Sequence, residues 1–438
     1  MESYFVGVDV GTGSVRAAVV STSGKLLHVS AKDTKTWSPK AGYFEQSTDD
    51  IWQAICHVVK DVTRHVPREA VKGIGFDATC SLAVIDKEGN PLSVSNNEQN
   101  VILWLDHRAV EEAEYINSLK HPVLKYVGGK ISLEMETPKL LWLKKNLREQ
   151  CWNKAGYFFD LPDYLTWKAT GSDSSGNNGW DEKYFNQIGL SDLMENNWKK
   201  IGTVVKEPGS PCGSGISPEA AKELGLVPGT PVGTSIIDAH AGGLGMIGCS
   251  AGSVNHEFHT RLGYWLSEGG QSATGKLVDH IIDTHPATAA VKAKIDIHIW
   301  PDFHGNRSPL ADPSLLGMYG TLHIIDALRS ANHSEIESVL ICGGLSRNSL
   351  FVQTQADVTR LPVLCPKESE SVLVGAAILG ACAAGAFADI QTAIQEMGGQ
   401  ADIVNPNKEE YRYHEKKYEV FLKMVEHQRE YKSIMSSY

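Results

Sequence analysis

The chain has 438 residues, too many for one ordinary hydrophobic core, which puts two to three domains first and excludes a small disulfide-stapled scaffold. Hydrophobic residues at 42% and charged residues at 21%, with a mean hydropathy of -0.21, describe a globular chain that buries a core. The formal net charge of -11 disfavours a broad nucleic-acid footprint or attraction to an anionic membrane, while leaving room for a local basic pocket that takes a small anion.

The N-terminus carries an early acid, Glu2, and runs directly into a strand pattern, so no signal peptide is expected. Residues 4–10 read as a buried strand, Gly11 to Ser14 as a tight turn, and 15–20 as a returning strand. A helix follows over 48–64, with Ile51, Ile55, Val58, Val59 and Val62 on one face and Ser47 or Thr48 as cap. Strands are predicted at 73–76 and 82–85, and helices at 108–118, 138–146 and 218–224, the last opened by Ser217 and closed at Gly225. Strand-like runs recur at 231–237, 339–342 and 362–364, with a helix over 350–359. The uncharged run 371–388, rich in Ala and Gly, lacks the aromatic belt and positive flank of a membrane span and reads as a buried helix packed closely on a neighbour. Tyr418, Phe421, Leu422 and Val425 mark a terminal surface helix within 407–435. This alternation indicates an α/β architecture with mixed sheets. The Pro-Gly-Thr-Pro-Val-Gly-Thr stretch at 228–234 is the best boundary, giving domains 1–230 and 231–438. Eight scattered cysteines without a C-x-x-C pair point to a reducing, cytoplasmic compartment.

Four places carry candidate chemistry. Asp9 ends a buried strand beside Gly11, Thr12, Gly13 and Ser14, an arrangement that suits hydrated metal on the carboxylate and phosphate on the amides and hydroxyls; a plain hairpin turn is the alternative. Asp238 follows an apolar strand and precedes small residues, as a general base or as a helix-capping acid. Gly343 and Gly344 end another strand and offer bare backbone to an adenine or ribose, or simply make a strand-to-helix turn. The stretch 270–277 nearly spells a P-loop, but Leu277 stands where the metal-binding hydroxyl belongs, so a loop entering a helix is preferred. The His256–His259 and Asp279–His285 groups lack zinc spacing and read as surface or structural residues.

Together and in this order, Gly7 to Arg16, Trp104 to Arg108, Phe159 to Tyr164, the Asp238 stretch, Gly343-Gly344 to Asp357 and Glu370 to Ala377 resemble the FGGY carbohydrate kinases over nearly the whole chain. Phe76 to Ser81 is similar to the ribulokinase-type version, closest to the D-ribulokinase branch. The resemblance implies two ribonuclease-H-like domains of the actin, Hsp70 and sugar-kinase superfamily, with an interdomain cleft that closes on a small-molecule sugar and MgATP. It implies phosphoryl transfer from ATP to a pentulose, D-ribulose giving D-ribulose 5-phosphate, with no nucleic-acid or membrane partner and a homodimer among the assemblies left open. By resemblance Asp238 is the base; Asp9 holds Mg2+; Gly11, Thr12, Gly13 and Ser14 meet phosphate; Gly343, Gly344 and Asn348 face the nucleotide. Thr79, Cys80, Ser81, Asp106, Glu268 and Gln271 are the corresponding candidates for the sugar pocket. The chain departs from the family pattern between Gly245 and Trp265, where a second phosphate loop is expected, between Gly171 and Trp180, where ribulokinase-type members place a lysine, and between Gly317 and Ile324. Two readings follow: an active pentulose kinase, or a homologue that binds nucleotide or sugar without turnover.

Overall fold

The computed structural model describes residues 2–172, 174–175, 179–249, 321–330, 336–368 and 370–436. The chain divides into two compact units, Met1–Leu262 with Glu370–Ala401, and Gly263–Ser369 with Asp402–Tyr438.

The first unit is built on a sheet whose centre is β1, Tyr4–Val10, turned back as β2, Ser14–Ser21, and extended by β3, Leu26–Asp33. The Gly11–Ser14 turn closes the β1–β2 hairpin, with Val10 opposite Val15 and the Gly11 amide donating to the Ser14 carbonyl at 3.0 Å. Outside this sheet, Glu45–Gln46 forms β4. On the other side of β1, Val71–Ala78 forms β5 in parallel register, and the short strand Ile236–Ile237 (β11) joins β5, again in parallel. The expected strand over 231–237 is reduced to those two residues and an isolated bridge from Val232 to Ile74. Between them the Thr234 amide donates to the Ser210 carbonyl at 2.8 Å, which draws this part of the chain away from the β5 ladder.

Side-chain alternation along β1 and β5 decides what each face packs against. Val6, Val8, Ile74 and Phe76 share one core with Ile51, Ile55, Val58 and Val62 of helix Thr48–Thr63, whose cap is Ser47, accepting from the Asp50 amide at 3.4 Å. The opposite face presents Phe5 and Gly7 of β1, Gly73 and Gly75 of β5, and Ala18 and Val20 of β2. On it lies helix Ser371–Ala383, the uncharged Ala/Gly run, buried along most of its length. The approach is backbone to backbone: a Cβ on Gly75 would fall 2.0 Å from the Ala376 carbonyl oxygen. Helix Asp238–Ile247 crosses the same helix equally closely, a Cβ on Gly375 falling 1.9 Å from the Ala241 oxygen. Among the described residues no helix is long and apolar enough to cross a membrane.

A second sheet in this unit runs in the order β4, β7 (Val101–Ile102), β6 (Leu82–Asp86), β8 (Ala155–Asp160), antiparallel throughout. Its core gathers Leu82, Val84 and Ile102 with Leu140, Leu143 and Trp152. Helices Val110–Ser118, Glu136–Asn146 and Pro218–Leu224 match the sequence expectation closely. Strand β8 and helix Leu161–Thr170 carry no such expectation, although Asp160 caps that helix, Pro162 opens it and left-handed Gly171 closes it. Strands Ser174–Ser175 (β9) and Val204–Val205 (β10) pair in parallel.

The second unit contains a sheet in the order β12 (Val339–Leu340), β13 (Val363–Pro366), β14 (Ala401–Val404), the first two parallel. Helix Ser349–Thr359 buries Val352 and Ala356 against Val363, as the 350–359 pattern predicts. The tail is helix Tyr411–Ser436, with Phe421 and Val425 buried and Tyr418 donating to Asp326 of helix Thr321–Ser330 at 2.8 Å. All eight cysteines lie among the described residues, and none forms a disulfide there.

Candidate active site

Three aspartates stand at the carboxyl ends of neighbouring parallel strands. Asp9 is paired with Asp77 in the β1–β5 register, and Ile236 with Asp77 in the β11–β5 register, so Asp238 follows just beyond the end of β11. Asp9 and Asp77 share the face occupied by Gly7, Gly73 and Gly75, beneath helix Ser371–Ala383. The open end of a parallel sheet, where chains turn from strand to helix, is the usual ligand position in α/β folds.

Asp77 is fully buried, and neither carboxylate oxygen has a hydrogen-bond donor. Burial pushes its carboxyl well above the ordinary value, and the nearby charges of Asp9 and then Asp238 push the same way. Asp9 is also raised, first by burial; Arg16 opposes the shift. Arg16 stands opposite Asp9 on β2 and donates Nε to its Oδ2 at 2.9 Å, with a second contact from Nη2. Its Nη1 reaches Glu370, the residue that precedes helix Ser371–Ala383. One guanidinium thus ties the end of β1 to the start of the central helix. Asp238 is the first residue of its own helix and accepts from the Ala239 amide at 2.8 Å; the cap position is taken by Ile237 with no side-chain cap bond, so Asp238 is not the N-cap acid that one sequence reading expects.

The first glycine turn is braced from the second sheet. Trp104 donates Nε1 to Thr12 Oγ1 at 2.9 Å, and Gln46 donates to the Thr12 carbonyl at 2.8 Å. A Cβ on Gly13 would meet nothing within 4 Å, so this side of the turn is open. Thr79, Cys80 and Ser81 follow β5: the Thr79 and Ser81 hydroxyls are 3.0 Å apart, and Ser81 Oγ accepts from the Trp104 amide at 3.1 Å. Asp106 is fully buried and binds Arg108 and the Phe44 amide, while Arg108 also reaches Glu45; its carboxylate anchors the loop that carries Trp104. In the second unit Gly343 adopts a left-handed φ of 78° after β12, and Asn348 caps helix Ser349–Thr359, accepting from the Phe351 amide at 3.1 Å. Glu268, Gln271, the near-P-loop 270–277 and both histidine groups lie outside the described residues.

Sequence reasoning passed over Asp77, Arg16 and Glu370 as site residues. Asp77 carried the signal that singled out Asp9 and Asp238, an acid closing a buried apolar strand. A second overlooked group surrounds the start of helix Leu161–Thr170. Asp160 and Glu136 are half-buried there, the Glu136 carboxylate oxygens being enclosed, and loss of solvent pushes Glu136 up to about 7 against the pull of Lys139, and Asp160 well above its ordinary value. Asp163 lies 3.5 Å from Ser235 Oγ, three residues before Asp238.

The donor set fits a hard divalent cation. Among the described residues no three His, Cys, Asp or Glu side chains are close enough to enclose an ion, but Mg2+ is ordinarily held by one or two carboxylates, with water and substrate phosphates completing its shell. The buried, donorless Asp77 beside Asp9 provides such a pair.

Comparison with known proteins bears on the family and the fold. The model of the N-terminal domain of the FGGY family of carbohydrate kinases matches residues 4–245, and that of the C-terminal domain matches 317–384. The FGGY carbohydrate kinase domain-containing protein of Homo sapiens is 44% identical, covering 99% of this chain and 98% of the relative. That alignment spans 542 positions against 438 residues here, so at least about a hundred positions of the relative have no counterpart. D-ribulokinase YDR109C of Saccharomyces cerevisiae is 33% identical over 88% of this chain and 72% of its own length. The crystal structure of ligand bound xylulose kinase from Lactobacillus acidophilus shares the fold at a TM-score of 0.75 and 17% identity, covering 96% of this chain and 97% of that one.

Proposed function

The chain belongs to the FGGY family of carbohydrate kinases, phosphotransferases acting on sugars, and on that premise we propose that it phosphorylates a pentulose, D-ribulose to D-ribulose 5-phosphate, at the expense of ATP. The observation that carries this reading is the convergence of Asp9, Asp77 and Asp238 at the ends of β1, β5 and β11. The D-ribulokinase relative supports the choice of sugar.

In this mechanism Asp238 accepts the proton of the attacking sugar hydroxyl as its oxygen bonds to the γ-phosphorus and the bond to the ADP oxygen breaks. Asp9, with Asp77 beneath it, would hold Mg2+, which supplies charge neutralisation for the phosphates. Arg16 fixes Asp9 against Glu370. Gly11, Thr12, Gly13 and Ser14 take the phosphates, with Thr12 oriented by Trp104. Gly343, Gly344 and Asn348 serve the nucleotide. Thr79, Cys80 and Ser81 stand on the sugar side, where several hydroxyls need matched polar partners; Asp106 shapes that wall through Arg108, and Glu268 and Gln271 complete the assignment. The compartment proposed is the cytoplasm.

A second reading, binding of nucleotide or sugar without turnover, is favoured by the roughly one hundred positions without counterpart. Sugar-dependent ADP formation across D-ribulose, L-ribulose, D-xylulose, ribitol and glycerol separates the two. The kinase reading expects D-ribulose to give the largest kcat/KM. It fails if no sugar stimulates ADP release while ATP still raises the melting temperature.

A further inference from the structure

Away from the aspartates, a surface pocket of about 550 Å³ opens in the first unit, where helices Thr48–Thr63 and Pro218–Leu224 both end. Its lining includes four cations, Lys60, Arg64, Arg68 and Lys222, and no carboxylate. All four are exposed. In a chain of net charge -11 this is a local reversal of sign, and a concave one. The cations come from three separate elements: Lys60 from the last turn of the first helix and Arg64 from its cap, Arg68 from the 3-10 turn Arg68–Ala70, and Lys222 from the last turn of the other helix.

The pocket also has a fixed apolar wall. Pro218, Leu226 and Pro228 line it, and left-handed Gly225 brings the chain against the Lys60 stem, so that a Cβ there would sit 3.3 Å from Lys60 Cγ. Two acids stand nearby: Asp61 pairs with the lining Arg64 at 3.1 Å and offsets part of its charge, and Glu223 accepts from Trp52 Nε1 at 2.7 Å. The volume falls in the range of small-molecule sites. Cations on several sides and an apolar wall match a compact carbon body carrying more than one phosphate.

We propose that this pocket is a second ligand site, for a small multiply phosphorylated metabolite, separate from the aspartate site. Basic groups at helix C-termini also offset the helix dipoles with no ligand at all, and that account predicts a change in stability without a change in anion binding. The test is calorimetric titration of the full chain with inorganic pyrophosphate at physiological ionic strength, in the presence of saturating ADP. Binding is expected to persist under ADP, to weaken with added salt, and to fall at least about tenfold in the Lys60→Ala, Lys222→Ala double variant. Arg68→Gln, which changes one exposed side chain, serves as the second variant should the double one melt early. Absence of binding, displacement by ADP, or equal affinity in parent and variants would overturn the proposal.

Discussion

Asp9 and Asp77 stand opposite each other in parallel register on β1 and β5, both buried, and of the two Arg16 is hydrogen-bonded to Asp9 alone. Two carboxylates placed so closely cannot both ionise without cost. The result is a site in which Asp9, tied to Arg16, is the more readily charged member and Asp77 keeps its proton to higher pH.

This asymmetry makes stability depend on pH. The folded value of Asp77 is raised above the ordinary 3.8, so over the window from there up to its folded value the native state holds a proton that the unfolded chain releases. Stability therefore falls as pH rises through that window. Asp77→Asn keeps the shape and stays neutral. In metal-free buffer its melting temperature should gain on the parent as pH goes from acid to neutral. A difference that does not change with pH contradicts the assignment.

Arg16 joins Asp9 to Glu370, so Arg16→Gln and Glu370→Gln should not act independently. In a double-mutant cycle of urea unfolding, the coupling is expected at about 1 kcal/mol, toward the lower end for neighbours because the guanidinium is partly exposed. Additivity within a few tenths of a kcal/mol would show that the bridge contributes nothing.

The central helix tolerates no side chain where it meets β5. Gly75→Ala places a Cβ 2.0 Å from the Ala376 oxygen and 2.9 Å from the Gly380 nitrogen, backbone atoms that cannot swing aside. A loss of about 1–3 kcal/mol or more is expected by chemical denaturation. Gly243→Ala, inside helix Asp238–Ile247 with nothing within 4 Å of the new Cβ, should instead be neutral or gain up to about 1 kcal/mol. Equal effects of the two changes would remove the packing argument.

Much of this architecture was legible where one local rule dominates. Helix Thr48–Thr63 shows its apolar stripe and its cap, and the 371–388 run shows by its lack of charge and its small residues that it packs against something at close range. What it packs against was not legible, because Gly7, Gly73 and Gly75 acquire meaning only when β1 and β5 become neighbours. The same limit hid Asp77, whose partner Asp9 is far away in sequence, and Arg16, whose partner Glu370 is farther still. The buried ion pair of Asp106 with Arg108 was not legible either, because it leaves no trace in spacing. Helix Leu161–Thr170 was missed because its apolar residues follow no clean period, being buried on several sides.

The central claim is that Asp238 takes the proton of a sugar hydroxyl. The most direct measurement compares D-ribulose-dependent ADP formation by the parent and by Asp238→Asn, alongside ATP and sugar binding by calorimetry. The expected result is a fall in kcat of about 10² to 10⁴ with binding changed only a few-fold. An Asp238→Asn variant that turns over D-ribulose as fast as the parent would contradict the account.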